Sequence, residues 1–555
     1  MMKTLKSSRL PAMGAAALIL IGGGVVYWLV SRESSENWQT GARYIPEEAL
    51  MSVSVSTDPR QWQQLQEYGT AESQALWGES LSSFAESVAT NYGYNYIEDI
   101  QPWVGEEVTI AFLPPPAELD PDAPPLIPGE SPSTIAVLPI SKGNLAARMF
   151  EDSTESNTWT EREYKGIDIR DGTDDADRTF SIAVLDREFL VVGNRPEALD
   201  RAIDAYRDGK SIASTPGYDR AWESSESERY FARAYFNLQT AFNALAQTST
   251  EPISPDILAK LESQGLATFA SLQPDGIAFK NLSWLKPNSE TVYLGKNQTG
   301  RMAARLPDRT VMMISGNNLE QLWKDYLQGA TANPLAPGNP DWLRRALKST
   351  VDLDLEEDLL PWMTEEFALA MVPVETQTER GFPGGVVLMV QAAERQDAEA
   401  VFEKLDGVMR QKYQYQVEET TIKNRPVVKW VSLGGALTVT RGWLSDNVAF
   451  ISVGAPIADL LIPNPTSSLD ASERFLDSVP LELQPNNGHF YLDLDGTINA
   501  EGFTLLQLPP AQKTFVSAIE SIGVTSAIQD KRHSQYDVFV KLKKEPSGEE
   551  DAETR

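Results

Sequence analysis

Cysteine is absent from all 555 residues. That removes disulfides, thiolate metal sites, cysteine nucleophiles and acylation at a lipoprotein-type cysteine. It leaves the redox compartment open, because an exported protein can avoid thiols. Histidine is nearly absent, with His489 and His533 the only two. Without a pair at i, i+4 spacing, a zinc site of the usual kind has almost no ligands, and neither a metal nor a cofactor is expected. Positive charge is scarce: 48 basic residues face 79 acidic ones, for a net charge of −31. A field of that sign repels phosphate backbones, and no basic, aromatic-studded patch offsets it, so nucleic acid is excluded as a partner. Long apolar runs are missing too, with one exception.

That exception is Leu10 to Val30, LPAMGAAALILIGGGVVYWLV, twenty-one residues without a charge. At a rise of about 1.5 Å per residue, such a helix crosses a hydrocarbon core of about 30 Å. Tyr27 and Trp28 stand at its far end, where amphipathic rings favour the interface. Lys3, Lys6 and Arg9 precede it, leaving a net charge of about −34 on everything else. The positive-inside rule keeps residues 1–9 cytoplasmic and sends the remaining chain outward. The run is long for a signal peptide and ends in Tyr-Trp-Leu-Val-Ser-Arg without a small-x-small site, which favours an uncleaved signal-anchor.

Beyond the anchor, one phrase occurs twice. Tyr96 to Pro114 (YIEDIQPWVGEEVTIAFLP) aligns without a gap on Leu355 to Pro373 (LEEDLLPWMTEEFALAMVP), with eight identities in nineteen positions. Pro102, Trp103, Glu106 and Glu107 in the first copy match Pro361, Trp362, Glu365 and Glu366 in the second. The flanks keep their order. Tyr44–Val53 matches Arg305–Ile314, Phe189–Leu199 corresponds to Phe450–Leu460, and Ala234–Leu238 parallels Phe490–Leu494. A period of roughly 260 residues is far beyond the 20–50 of a solenoid and implies two large tandem modules. A proline-rich acidic loop between Pro114 and Pro132, shorter after Pro373, reads as an exposed connection between strands, stiff and unable to pair internally.

Within a module, short apolar strands alternate with amphipathic helices. Met51–Ser56 has period two, so one face is apolar. Asp58-Pro59 opens a helix, with aspartate as cap and proline at its first position. Helices are also expected over Ser80–Ala89 and Asn144–Phe150, and strands at Val108–Leu113 and Thr134–Leu138. Thr179–Leu185 and Phe189–Val192 form a hairpin closed by Asp186-Arg-Glu188. Leu199, Ala202, Ile203 and Tyr206 then fall at helical spacing within Pro196–Tyr206. The fold class expected is α+β: two tandem homologous modules with largely antiparallel sheets flanked by helices, preceded by one transmembrane helix. The boundaries are 1–9 cytoplasmic, 10–30 anchor, 31–42 linker, 43–299 module 1, 300–543 module 2, and 544–555 a disordered acidic tail.

The repeated Pro-Trp-x-x-Glu-Glu phrase invites a catalytic reading, since paired carboxylates beside an aromatic can cleave a glycosidic bond. The plainer reading is structural: proline stops a turn, tryptophan anchors it, and the glutamates precede a buried strand on its solvated side. Asp171 to Asp177 concentrates four acids without calcium-loop spacing and reads as a turn. Asp493 and Asp495 lie on an alternating strand opposite Asn237 of the first copy. Asp208-Gly-Lys-Ser211 follows a helix rather than a strand and lacks the first glycine of a phosphate loop. His489 begins a strand and matches Arg233. No nucleophile–base set stands in a convincing context, and no catalytic residue is assigned.

The anchor, "IPEEALMSVSVSTDP", "YNYIEDIQPWVGEEVTIAF" and "FLVVGNRPEALDRAI" together resemble the membrane-anchored cyanobacterial proteins grouped as domain of unknown function 3352. The resemblance covers nearly the whole chain after the anchor. It implies a protein of the plasma or thylakoid membrane with its bulk in the periplasm or lumen, and it supplies no catalytic residues. The expected role is non-enzymatic binding or scaffolding of an envelope or thylakoid partner. The alternatives are a carboxylate-based hydrolase acting on glycans, and lipid or pigment binding between the modules.

Overall fold

The structure is a computed structural model that describes residues 39–76, 100–114, 133–143, 159–173, 179–223, 229–248, 262–332, 340–374, 384–432, 438–498 and 510–544. The anchor, the helices expected at Ser80–Ala89 and Asn144–Phe150, the proline-rich loop and the tail beyond 544 lie outside them. Among the described residues no helix is long and apolar enough to cross a membrane. The chain forms two compact units. The first runs to Pro274 and includes Phe279–Thr291; the second takes Asp275–Ala278 and Val292–Lys544. Both are α+β, and the paired strands are antiparallel.

In the first unit, β1 is Met51–Ser56, β2 Glu107–Leu113, β3 Ser133–Pro139, β4 Thr160–Tyr164 and β5 Ile167–Thr173. β6 is Thr179–Leu185, β7 Phe189–Gly193, β8 Ala232–Asn237, β9 Ser263–Gln273 and β10 Gly276–Leu285, which belongs to this unit from Phe279 onward. Their order across the sheet is β10-β9-β8-β1-β2-β3-β7-β6-β5-β4. The period-two pattern of β1 turns Val53 and Val55 toward Phe231, Trp62 and Leu65. The other face is not solvated as the alternation implies. Ser52 and Ser54 are fully buried under the incoming chain, where Ser52 donates to Gln39 Oε1 (2.7 Å) and Ser54 bonds Thr109 (2.6 Å). A buried hydroxyl is stable only with such partners. Gln39, near the end of the stretch expected to be linker, is itself buried.

Helix α1, Pro59–Gln66, begins as its sequence dictates, with the Asp58 carboxylate accepting from the Arg60 amide at 3.0 Å. Helix α2, Pro196–Asp208, buries Ala198, Leu199, Ala202 and Ile203 against the sheet, each larger side chain adding about 1.5–3 kcal/mol. It stops at Gly209, whose left-handed φ of 67° closes the helix, so Asp208-Gly-Lys-Ser211 is a C-cap. The β6–β7 turn is tight, with Asp186 and Arg187 at φ 53° and 63°, and Asp186 accepts hydroxyls from Tyr44 and Tyr206.

In the second unit, β11 is Met312–Gly316, β12 Phe367–Pro373, β13 Gly384–Gln391, β14 Gln416–Ile422 and β15 Arg425–Val431. β16 is Thr438–Trp443, β17 Val448–Gly454, β18 Gly488–Asp493, β19 Ile519–Asp530 and β20 His533–Leu542. The order is β20-β19-β18-β11-β12-β13-β17-β16-β15-β14, strand for strand that of the first unit. The central register repeats as well. Met51 faces Phe112 and Phe236, and Met312 faces Met371 and Leu492. Three helices of this unit are α3, Leu319–Ala332; α4, Pro340–Val351; and α5, Arg395–Gln411.

Candidate apolar ligand site

The placement of the repeated glutamates is split. Glu106 and Glu365 are exposed. Glu107 and Glu366 point inward instead of to solvent, because each meets a built-in partner. Glu107 pairs with Arg233 of β8, both side chains being about one-sixth exposed. Glu366 is only 2% exposed and accepts the backbone amides of Gly300 (3.0 Å), Arg301 (2.8 Å) and Met302 (3.2 Å). Charge-assisted bonds of this kind hold the carboxylate in place. Trp103 and Trp362 are both buried in aromatic and aliphatic clusters, with Pro102 and Pro361 exposed beside them. None of the four glutamates lines the cavity described next. Asp171 is held by Arg162 at 2.7 Å and by Ser181. Asp493 accepts from Arg474 at 2.9 Å and from the Gly496 amide at 2.8 Å. Among the described residues no group of three or more metal-ligating side chains converges.

What the sequence did not announce is a cavity of about 440 Å³ in the second unit. Its roof is α5, whose Val401, Phe402, Leu405 and Met409 recur at helical spacing on one face. Its base is the facing side of the sheet, with Leu388 and Val390 of β13, Ile451 and Val453 of β17, Val439 of β16 and Trp430 of β15. The C-terminal turn of α4 closes one side through Leu347, Thr350 and Val351, and Trp362 and Met363 of the repeated phrase close another. Hydrocarbon and aromatic groups supply nearly the whole lining. Val453 is exposed and Leu388 and Ile451 half-exposed, so the cavity opens at the sheet surface. Tyr413 and Tyr415 flank the opening, the Tyr413 hydroxyl donating to the Thr350 carbonyl at 2.8 Å.

A buried charged pair behind these walls is self-contained. Asp406 of α5 is buried and receives the Arg441 guanidinium (Nε, 2.9 Å) and the Trp430 indole N–H (2.7 Å). Arg441 also lies 4.9 Å over the Phe402 ring. This network locks α5 onto β15 and β16, and so fixes the height of the roof. Breaking a buried pair by removing one partner costs about 3–5 kcal/mol. A space of several hundred cubic ångströms, apolar and open at one end, suits a flexible or flat hydrophobic molecule. The corresponding face of the first unit carries Phe180, Ile182 and Leu190 around Trp103 and Ile100. The segment 144–158 that follows β3 lies outside the described residues.

A family described as "Protein of unknown function (DUF3352)" matches residues 12–542. The chain belongs to that family. The DUF3352 match spans both ten-stranded frames, the repeated Pro-Trp phrase and the cavity. No curated protein matches the chain in sequence. Among solved structures, crystal form III of TP0453 is similar at 9% identity over 45% of this chain and 80% of that one, with a TM-score of 0.24. Crystal form I of TP0453 gives 10%, 46%, 81% and 0.25. Likeness this slight carries nothing about fold or function.

Proposed function

We propose that this DUF3352 protein is a non-enzymatic, membrane-tethered binding protein. Its duplicated ectodomain faces the periplasm or a lumen, and its second unit holds a hydrophobic, lipid-like ligand. The observation that carries the reading is the apolar cavity under α5. The charge-free run Leu10–Val30 supplies the tether, and the matching strand orders support descent from one copied unit. Carboxylate hydrolysis has less support, because Glu107 and Glu366 are already engaged and Glu106 and Glu365 are exposed.

Full-length protein purified in mild detergent, extracted with organic solvent and analysed by mass spectrometry, is expected to release a stoichiometric lipid or pigment. A soluble fluorescent fatty-acid probe is expected to bind once per chain. Leu405→Trp, which fills the cavity from its roof, should weaken that binding at least tenfold, since overfilled apolar space is not vacated cheaply. Binding that survives the substitution unchanged, or no binding by the parent protein, would end the proposal.

A further inference from the structure

A ligand that suits this cavity resides in a bilayer and is scarce as a free monomer in water, so the protein needs a surface on which to collect it. We infer that the outward face of α4 is that surface and that it rests on a lipid bilayer; the inference depends on the cavity being a lipid site.

Three observations converge on α4. First, the helix is shared between solvent and cavity. Leu347, Thr350 and Val351 line the cavity, and Leu343 and Leu347 pack against the cluster of Trp323, Leu355 and Leu360. Second, Trp342 on its outer face is 67% exposed, the most exposed of the large apolar side chains among the described residues, and Leu322 of α3 is 48% exposed. An indole standing in water gains by moving to a headgroup region, where one end is apolar and the other wet. Third, the local charge runs against the chain as a whole. Within Pro340–Val351 the cations Arg344, Arg345 and Lys348 stand against one acid, Asp341, in a protein of net charge −31.

The neighbouring acids are largely occupied. Asp354 caps the amides of Glu356 and Glu357 at 3.0 Å, Asp358 is held by Lys404 at 2.7 Å, and Glu356 takes Arg344 at 2.6 Å and the Trp323 indole at 2.9 Å. Asp352 lies 3.4 Å from Lys348 and is well exposed. Trp342, Arg345 and Ser349, at i, i+3 and i+7, therefore present an aromatic–cationic face on a helix whose other side walls the cavity. An exposed indole beside cations suits the headgroup layer of an anionic lipid surface. The last carbonyls of α4, Ser349 and Thr350, are held by Lys412 and Tyr413 at the end of α5. The membrane-facing helix and the cavity roof are thus fastened together.

The absence of cysteine makes the test direct. Single-cysteine variants Trp342→Cys and Ser349→Cys, with Glu419→Cys on exposed β14 as reference, are labelled with an environment-sensitive fluorophore. The full chain is then reconstituted in vesicles of phosphatidylcholine with or without phosphatidylglycerol. The labels at 342 and 349 are expected to shift to the blue and be quenched by spin-labelled lipid, more so with phosphatidylglycerol, and the label at 419 to stay in water. The double variant Trp342→Glu/Arg345→Glu should take up a fluorescent lipid from vesicles about tenfold more slowly while binding the soluble probe as the parent does. If the soluble probe binds but position 342 stays in water, α4 is not a membrane surface and the cavity reading survives. If position 342 is shielded only in native membranes and not in protein-free vesicles, a protein covers it and the inference falls. If the soluble probe itself fails to bind, the cavity reading falls and takes this one with it.

Discussion

Glu107 and Glu366 hold the same place in two frames of identical strand order, yet they are neutralised in different ways. In the first unit the partner is a side chain, Arg233 on β8. In the second, the position matching Arg233 is His489, which is buried and bonded to Thr525 at 3.1 Å. Glu366 turns instead to three backbone amides in the segment Gly300–Met302, with the well-exposed Arg301 paired to it and the Arg305 guanidinium acting on it from nearby. What persists between the copies is the need for a satisfied carboxylate at the start of the strand. How it is satisfied is free to drift, because a buried anion accepts from a guanidinium or from peptide N–H groups alike.

The sharpest break would come from removing each carboxylate. Glu107→Ala strands a mostly buried guanidinium, and Glu366→Ala leaves the Met302 amide without its acceptor. Each is expected to cost about 3 kcal/mol. Hydrogen exchange followed separately for β1–β3 and β11–β13 should show faster opening only in the unit carrying the change. Weakening of both units by either substitution would contradict this. A second pair of variants separates the two solutions. Adding Arg233→Ala to Glu107→Ala removes the stranded charge and should recover about 2 kcal/mol. Adding Arg301→Ala to Glu366→Ala should recover less than about 0.5 kcal/mol, since an exposed guanidinium contributes little. Equal rescue in both units would mean that Arg301, not the backbone, neutralises Glu366.

Much of each frame was legible because local chemistry decides it. Asp58-Pro59 dictates a helix start, Pro196 with the i, i+3, i+4, i+7 stripe dictates α2, and the three residues between Leu185 and Phe189 leave room only for a tight turn. Other features depend on what arrives from far along the chain. Ser52 and Ser54 look like a solvated strand face until Gln39 and Thr109 cover them. Glu366 looks exposed by type, and only the approach of residues 300–302 takes it inside. The cavity was the least legible feature. Val401, Phe402, Leu405 and Met409 announce a buried helix face, but whether that face closes on the sheet or stands off it depends on the Asp406–Arg441–Trp430 network and on side-chain volumes contributed by six separate elements. The tryptophan of the repeated phrase in the second copy is part of that cavity's wall.

The smallest expected effect follows from the same substitution of histidine for arginine. Burial holds the His489 imidazole below its ordinary pKa of 6.5, and the charge of Glu366 works weakly the other way. The folded second unit therefore binds a proton less readily at this site than the unfolded chain does. Stability from the neutral imidazole is complete above about pH 6.5 and is lost as the pH falls below that value toward the lowered folded pKa. In the first unit Arg233 cannot titrate in this range. Between pH 7 and pH 5, hydrogen exchange should therefore quicken in β11 and β18 relative to β1 and β8, and His489→Gln should reduce the difference. A difference that persists in full with glutamine would assign the acid sensitivity to other groups and leave the two units alike at this position.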